Sequence, residues 1–507
     1  MSRKEYPSYP VKASGGVSEK DLPSHVPEVE WHKKGGGNVS GGSRRSDERT
    51  LPWYGWVGMA SLLAGEAGLF LDAAPIRTFF FGIAWWSYIL VADACAWRRC
   101  GTSLLRSRPR EFWFLAFWSI PLWNLFELLN FRLQNWFYVN APANQTLALL
   151  FNVISYATVL PALFETYLVL GAYGAASGIR VRPWRIAPVG LVGSAILGLG
   201  MVIAPLAWPR VAFPLIWGFA IFLGEPLCYW AGTRTVSLAR QLERGDPRPF
   251  LRLLLAGFVC GGLWEFWNFW AYTKWLYTVP HLEALKWFEM PPLGFLGFPA
   301  FAVACYVLVN LLNVIRRGRS WESPAAAGRG APLGIAVPAI ALALAFNGIT
   351  YAGIDRWTVK SVAPTLAAME GVPGDVVERL GRSGVSTPPA LLRRTAMPER
   401  VAQLSRQSQV PEAELQRLRA GAALVDLKGL GAANYNALRR LGIFTIEDLA
   451  QRVPTVLLPR WRAAVAERPP SLAQVTLWIR AARRQTGLAP PQPSAFAHRG
   501  YGSTTHN

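Results

Sequence analysis

The sequence predicts an all-α protein: a polytopic transmembrane helical bundle built from two parallel four-helix repeats plus one extra helix, followed by a small soluble helical domain. Three observations predict this. Apolar runs of membrane-spanning length recur between Leu51 and Ile354, an acidic motif occurs twice within them, and the composition after Ile354 changes to Arg, Glu, Ala and Leu. A bilayer core needs about 20 apolar residues in a helix. Buried core helices of a soluble protein do not explain so many regularly spaced runs.

Nine spans are predicted from the apolar runs. They are Trp53–Leu71, Thr78–Trp97, Phe112–Phe131, Leu147–Tyr173, Ile186–Leu206, Val211–Ala231, Phe250–Tyr272, Leu293–Ile315 and Leu333–Gly353. The transmembrane domain then covers residues 51–354, with repeat one at about 51–175, repeat two at about 185–316 and the extra helix at 333–353. Because each repeat has an even number of spans, both have the same orientation, as in repeats related by an axis along the membrane normal.

The net charge of +21 invites a nucleic-acid interpretation, but much of it is concentrated in alternate loops. These loops contain Arg98, Arg99, Arg106, Arg108 and Arg110; Arg180, Arg182 and Arg185; Arg234, Arg240, Arg244 and Arg248; and Arg316, Arg317, Arg319 and Arg329. Cytoplasmic loops carry an excess of Lys and Arg. We therefore expect a cell-membrane protein with a cytoplasmic N-terminus, and nine spans then place the C-terminal domain outside. The polar segments 1–50 and 486–507 are predicted to be disordered tails.

The most informative motif occurs once in each repeat. The first copy is Phe126-Glu127-Leu128-Leu129-Asn130 followed by Trp136-Phe137-Tyr138, and the second is Trp264-Glu265-Phe266-Trp267-Asn268 followed by Trp275-Leu276-Tyr277. The separation of the two glutamates along the chain is almost the same as that of Trp136 and Trp275. A charged residue inside a membrane helix costs roughly 2.5–3.5 kcal/mol on insertion scales, so it marks a candidate functional site.

Further acidic residues lie in the cytoplasmic halves of the predicted spans. Asp93 and Glu225 match at the offset that also relates Trp85 to Trp217, and Glu165 lies in the fourth span. We expect Glu127, Asn130, Glu265 and Asn268 to bind an ion or substrate, with Asp93, Glu225 and Glu165 relaying charge toward the cytoplasm. No Lys or Arg occupies the middle of a span, so no basic partner is obvious. The alternative is that Glu127 and Glu265 are neutral hydrogen-bond clamps between helices.

Metal and redox chemistry find little support, and no cofactor is predicted. The five histidines lie outside the spans, and the five cysteines have no CxxC spacing. The cysteines are interpreted as small packing residues. Because no nucleophile or phosphate-loop motif is present either, the sequence leaves enzymatic activity undecided.

The soluble domain, predicted at residues 361–485, contains a second duplication. Gly371-Val372-Pro373-Gly374 matches Gly429-Leu430-Gly431, and the leucines, glycines and threonines that follow match at the same offset. A glycine-rich turn between two short helices is typical of a helix-hairpin-helix, whose free N–H groups can hold a phosphate. The carriers include Leu427-Lys428-Gly429-Leu430-Gly431 and Trp478-Ile479-Arg480-Ala481-Ala482. On these residues the region resembles the tandem helix-hairpin-helix family of unknown function.

That resemblance implies a binding surface for protein or nucleic acid and no catalytic activity. The phosphate or partner contacts would be Lys428, Gly429, Gly431, Arg439 and Arg440. Nucleic-acid binding through such residues would weaken steeply with salt. The membrane region resembles only bacterial integral membrane proteins of uncharacterised activity.

Three functions remain open from the sequence. The first is a proton- or cation-coupled transporter that uses the duplicated Glu/Asn site. The second is a membrane-embedded enzyme acting on a lipid or isoprenoid, with one glutamate as general acid. The third is a scaffold in the lipid bilayer that recruits a partner through the C-terminal domain.

Overall fold

The computed structural model describes residues 49–232, 236–279, 286–316, 320–322, 331–464 and 469–489. Most of the two predicted tails lies outside these ranges. So do all five histidines and four of the loop arginines, namely Arg234, Arg317, Arg319 and Arg329.

Helices make up most of the described chain, and strands almost none of it. The membrane domain contains α1 (Trp53–Phe70), α2 (Ala74–Cys100), α3 (Leu104–Ser107), α4 (Pro109–Leu133), α5 (Gln145–Tyr156), α6 (Val159–Ala172), α7 (Pro188–Ala207), α8 (Pro209–Ala212), α9 (Phe219–Trp230), α10 (Leu238–Glu243), α11 (Arg248–Trp270), α12 (Gly297–Ile315) and α13 (Leu333–Trp357). Two short strands interrupt this order, β1 (Trp136–Val139) after α4 and β2 (Lys274–Tyr277) after α11.

Eight helical segments of the described chain are long and apolar enough to cross a bilayer, as in a multi-pass membrane protein. They correspond to the second to ninth predicted spans. The first predicted span, α1, is helical but is not among the eight, because tryptophans, a tyrosine and Glu66 dilute its apolar residues. The ninth span, α13, is one unbroken helix of 25 residues.

Helix α1 nevertheless runs antiparallel to α2 along most of its length. Gly55, at its start, faces Ala94 near the end of α2, and Gly68, at its end, faces Ile76 near the start of α2. The glycines form the buried face of α1, and small residues allow such close approach of helices. Helix α1 therefore lies along residues 76–94 of α2.

Following the helices in order separates two ends of the bundle. One end, the arginine end, carries the loops between α2 and α4, between α6 and α7, and between α9 and α11. The other end, the ribbon end, carries β1 and β2. The strands pair antiparallel, with Trp136 opposite Tyr277 and Tyr138 opposite Trp275. The two motif copies thus pair with each other around a local two-fold relation.

In the described part of the C-terminal domain, eight α-helices surround one apolar core that extends from Leu366 to Ala482. The helices are α14 (Gly374–Arg382), α15 (Pro388–Arg394), α16 (Pro398–Ser408), α17 (Glu412–Asp426), α18 (Gly431–Arg440), α19 (Ile446–Ala450), α20 (Pro454–Ala464) and α21 (Leu472–Thr486). Thr387 and Thr445, which match each other in the duplication, cap α15 and α19 in the same way. The domain lies at the ribbon end, where Arg393 forms an ion pair with Asp72.

We expect Gly198 to be essential for the packing of α7 on α9, because a side chain there would overlap the backbone of Leu223. Gly198→Val should destabilise the fold by about 1–3 kcal/mol, as overpacking does. Gly200→Val is the matched control, since the space around Gly200 in the same helix is open. Thermal unfolding of the detergent-purified protein measures the difference, and equal shifts for the two variants would contradict this packing.

Candidate functional site

The two motif asparagines hold the turns that lead from helix to strand. The side-chain oxygen of Asn130 accepts hydrogen bonds from the N–H groups of Asn135 (2.8 Å) and Trp136 (3.3 Å), and its amide donates to the carbonyl of Trp136 (2.9 Å). In the second copy, the amide of Asn268 donates to the carbonyl of Trp275 at 3.0 Å, and its side-chain oxygen accepts from the N–H of Trp275, also at 3.0 Å. Both amides are fully buried. The spacing of asparagine and tryptophan in the motif therefore corresponds to a turn. The asparagine side chains are occupied by that turn, so the glutamates are the motif residues whose side chains remain to accept other donors.

Glu127 lies in an enclosure of aromatic hydrogen-bond donors. Its Oε1 accepts from the indole N–H groups of Trp123 (2.9 Å) and Trp136 (3.1 Å) and from the hydroxyl of Tyr138. The hydroxyl of Tyr156 lies 3.5 Å away. The residue is 0 % exposed, and its Oε2 accepts no hydrogen bond from the described residues.

Tyr156 reaches this enclosure because the fourth span is broken. Helix α5 ends at Tyr156 and α6 begins at Val159. The hydroxyl of Ser119 in α4 donates to the carbonyl of Tyr156 and accepts from the N–H of Leu160 at 3.1 Å. Ser119 thus satisfies backbone groups that the break leaves free, as buried polar groups require.

Glu265 repeats the arrangement with fewer donors. Its Oε1 accepts from the hydroxyl of Tyr277 at 2.8 Å, whereas its Oε2 is buried and accepts no hydrogen bond from the described residues. Glu265 is also 0 % exposed. The ammonium groups of Lys274 and Lys286 lie within electrostatic range. Both copies therefore pair a buried carboxylate with the tyrosine of their own strand, but only Glu265 has lysines nearby.

Aromatic rings join the two halves of the site. Trp123, which donates to Glu127, packs with its ring centroid 5.2 Å from that of Trp264, the neighbour of Glu265 in the chain. Trp85 of repeat one packs on Trp264 of repeat two at 5.7 Å, and the corresponding Trp217 of repeat two stacks on Phe126 of repeat one at 5.4 Å. Each repeat thus contributes a ring to the other, which brings the two glutamate sites together through one aromatic core.

The interior beside these rings is closely packed. A small gap lined by Trp85, Thr158, Ala162, Cys260 and Trp264 has no room for a water molecule. Among the described residues, no cluster of His, Cys, Asp or Glu is arranged to hold a metal ion.

Asp93 and Glu225 occupy equivalent places at the arginine end. Asp93 accepts from the Tyr54 hydroxyl and from the N–H of Leu105, both at 2.6 Å. Glu225 accepts from the Ser237 hydroxyl at 2.6 Å and from the N–H of Ala239 at 2.9 Å. Each acid therefore holds the first turn of the short helix that follows its span, where a negative charge is favourable.

Glu165 joins Asp93, but not Glu225. It is fully buried, with Asp93 and Arg108 as charged neighbours. The offset that relates Glu127 to Glu265 leads from Glu165 to Val303, so repeat two has no acidic counterpart there. The buried Arg108 also donates to the carbonyl of Trp321. No basic partner for these acids is obvious from the sequence, and for this pair the loop before α4 supplies one, because it folds Arg108 back against the bundle.

The glycine turn of the C-terminal domain lies against the membrane domain. Gly429 and Gly431 have positive φ angles of 66° and 77°. A side chain on Gly429 would overlap Val139 of β1, and one on Gly431 would overlap Ser361. Within this chain, the turn that the sequence suggested for phosphate or a partner is thus covered by the ribbon end.

Lys428 continues this contact through Glu289, a buried acid that the sequence analysis did not single out. The Nζ of Lys428 lies 2.9 Å from Glu289 Oε1 and 3.2 Å from Oε2, and Lys274 Nζ lies 3.1 Å from Oε1. Burial alone would raise the pKa of Glu289, but the two ammonium groups hold that pKa below its ordinary value. No local pattern marks Glu289, because its partners come from distant parts of the chain.

Arg439 and Arg440 contact residues of their own domain. Arg439 donates to the Tyr435 hydroxyl at 3.2 Å and lies over the ring of Phe444. Arg440 forms an exposed ion pair with Glu370. The five predicted contact residues therefore divide into three at the domain interface and two on the domain's own surface.

Residues 370–485 match a family model described as a domain of unknown function, DUF4332. This match confirms the predicted resemblance of the C-terminal region to a family of unknown function. No curated protein and no solved structure matches the chain.

We expect the contact through Glu289 to weaken in acid. Lys428 of the domain is one of the two ammonium groups that lower the pKa of Glu289, so the ionised carboxylate favours the docked state, and this contribution is lost as pH falls through the lowered value. Glu265, Asp426, Lys274 and Lys428 face the same cluster. Glu289→Gln should weaken docking by about 1–3 kcal/mol, as loss of a charge-assisted hydrogen bond to a partly exposed lysine does, and remove this part of the pH dependence.

Hydrogen exchange of residues 427–431 between pH 7 and pH 4 measures this docking. Glu370→Gln is the matched control, because its pair with Arg440 is exposed and should contribute less than about 1 kcal/mol. If residues 427–431 exchange in Glu289→Gln at the wild-type rate, the ion pair between Glu289 and Lys428 does not hold the domain in place.

Proposed function

We propose that the protein is a proton- or cation-coupled membrane transporter in which Glu127 and Glu265 exchange the coupling ion. One observation carries the proposal: each repeat buries a carboxylate completely within the membrane domain and leaves one of its oxygens without a hydrogen-bond donor among the described residues. Buried polar atoms are normally paired, and intramembrane acids usually mark ion pathways.

A proton or bare cation suits this site better than a larger ligand. The remaining oxygen of each glutamate can carry a proton or coordinate a cation, and the tyrosine hydroxyl on the other oxygen keeps the carboxylate in place. The surrounding rings pack against one another and the adjoining gap does not admit water. A bulky substrate would therefore need a different conformation, as alternating access requires.

The charged groups at the arginine end supply the other half of a pathway. Glu165 and Asp93 are buried together with Arg108. They would accept the ion released from the ribbon end, with Arg108 balancing the charge. Glu165 is a neighbour of Asp93 in repeat one and not of Glu225 in repeat two, so the relay we propose passes through repeat one.

The alternatives have less support from the contacts. An enzyme for lipids or isoprenoids needs a cleft for an acyl or prenyl chain, whereas aromatic side chains fill the space beside the glutamates. A scaffold needs a free partner surface, whereas Lys428, Gly429 and Gly431 contact this chain's own ribbon end.

We further propose that the membrane is the cell membrane, with the arginine end in the cytoplasm and the ribbon end outside. The arginine-rich loops favour this direction. The C-terminal domain, which contacts Asp72, Val139 and Glu289 at the ribbon end, would then be extracytoplasmic.

Glu127→Gln and Glu265→Gln test the transport proposal. Glutamine keeps the shape but cannot carry the exchanged ion, so each variant should reduce ion flux at least tenfold. Proteoliposomes under a pH, Na⁺ or K⁺ gradient report the flux through a trapped dye.

The double variant should fall to the leak of protein-free vesicles. Glu66→Gln in α1 is the control acid, since Glu66 has no place in the site, and its flux should equal that of the wild type. The proposal is overturned if the wild-type protein moves none of these ions, or if the double variant retains full flux.

Fusions of alkaline phosphatase, which is active only outside the cytoplasm, test the orientation. A fusion after Leu488 should be active and one after Gly178, in the loop between α6 and α7, inactive. A fluorescent protein at the same positions should give the opposite pattern. Activity at Gly178 alone would reverse the proposed direction.

A further inference from the structure

The β1–β2 ribbon has two faces with different partners. Side chains alternate between the faces of a strand. In β1, Tyr138 turns inward to Glu127, whereas Phe137 and Val139 turn outward; in β2, Tyr277 turns inward to Glu265 and Leu276 outward. The outward residues form one apolar cluster with Leu477 of the C-terminal domain. One face of the ribbon thus contacts the carboxylates and the other contacts the domain.

Backbone hydrogen bonds tie the domain's entry segment to the same ribbon. The N–H of Tyr138 donates to the carbonyl of Thr358 at 2.8 Å, and the N–H of Lys360 donates to the carbonyl of Tyr138 at 2.9 Å. Ser361 and Ala141 continue this parallel pairing. The segment from α13 into the domain therefore bonds both backbone groups of Tyr138, the residue that contacts Glu127.

The turn of the domain adds two contacts to this attachment, and a hydrogen bond within the domain holds the turn itself. Lys428 reaches the buried Glu289, which also pairs with Lys274 of β2. Gly429 lies directly on Val139, and the indole N–H of Trp478 donates to the carbonyl of Lys428 at 3.2 Å, which fixes the turn. Charge, shape and apolar contacts all match the ribbon, so the partner of this turn is this chain's own membrane domain.

We propose that the C-terminal domain is a lid: docked on the outer face of the ribbon, it holds Tyr138 and Tyr277 on Glu127 and Glu265 and closes the ribbon end of the site. When the domain lifts, the ribbon loses its outer apolar contacts and the pairing at residues 358–363. The two tyrosines can then leave the carboxylates, which opens the path for the ion. The docking does not depend on the transport proposal, whereas the effect on ion flux rests on it.

Leu477→Asp tests the docking of the domain without disturbing its fold. Leu477 belongs to the interface cluster and is absent from the domain's own core, so the substitution should leave the domain folded while expelling it from the ribbon. Leu472→Asp is the matched control, because Leu472 lies on the same helix with 38 % of its surface exposed. Lys428→Gln is a second, milder variant that removes the ion pair.

Two measurements are made on the full-length protein in liposomes. Hydrogen exchange of residues 136–139 and 274–277 should accelerate at least tenfold in Leu477→Asp and less in Lys428→Gln, and remain unchanged in Leu472→Asp. Proton flux should rise at least threefold in Leu477→Asp, less in Lys428→Gln and not at all in Leu472→Asp, because the undocked ribbon no longer closes the site.

The outcomes distinguish the two proposals. Unchanged ribbon exchange in both interface variants overturns the lid. Faster exchange with an unchanged flux in an actively transporting protein overturns its control of the site. Faster exchange in a protein that moves no ion at all supports the docking and overturns the transport function alone.

Discussion

The hydrogen bond between a ribbon tyrosine and a buried carboxylate is the interaction on which the rest of this structure depends. A glutamate in a membrane helix is costly unless its oxygens are bonded. The tyrosine donors come from a strand that begins only a few residues after the helix ends, so the chain must turn back sharply. Asn130 and Asn268 make that turn by bonding the backbone of the following tryptophan. The asparagine, tryptophan and tyrosine of the motif therefore serve the glutamate.

Because the motif is duplicated, each repeat has the same arrangement of helix, turn, strand and glutamate. The two copies differ in the other groups that surround the glutamate. The two strands pair with each other, so the facing edge of each strand is hydrogen-bonded to the other copy. Glu127 has several aromatic donors, among them Tyr156 from the broken fourth span, whereas Glu265 has one tyrosine and nearby lysines. The two equivalent acids therefore lie in unequal electrostatic environments.

The same ribbon connects the membrane domain to the soluble one. Its alternating side chains send the tyrosines inward and Phe137, Val139 and Leu276 outward, and the outward face would be an exposed apolar patch without the C-terminal domain. The glycine turn that the sequence suggests for phosphate contacts this patch instead. Glycines that allow close approach to a phosphate allow equally close approach to a strand, since both uses need only the missing side chain.

The sequence alone determined the apolar helices, the duplicated motif and the helical C-terminal domain, because these follow from local composition and periodic spacing. Eight of the nine predicted spans are long and apolar enough to cross the membrane, and the motif predicted that Glu127 and Glu265 are equivalent. The tertiary structure decided which atoms meet. Arg108 beside Glu165, Lys428 on Glu289 and the ribbon between the repeats join residues that are far apart in the chain. No local pattern encodes such contacts, because they depend on how the helices pack and on which loop ends that packing brings together.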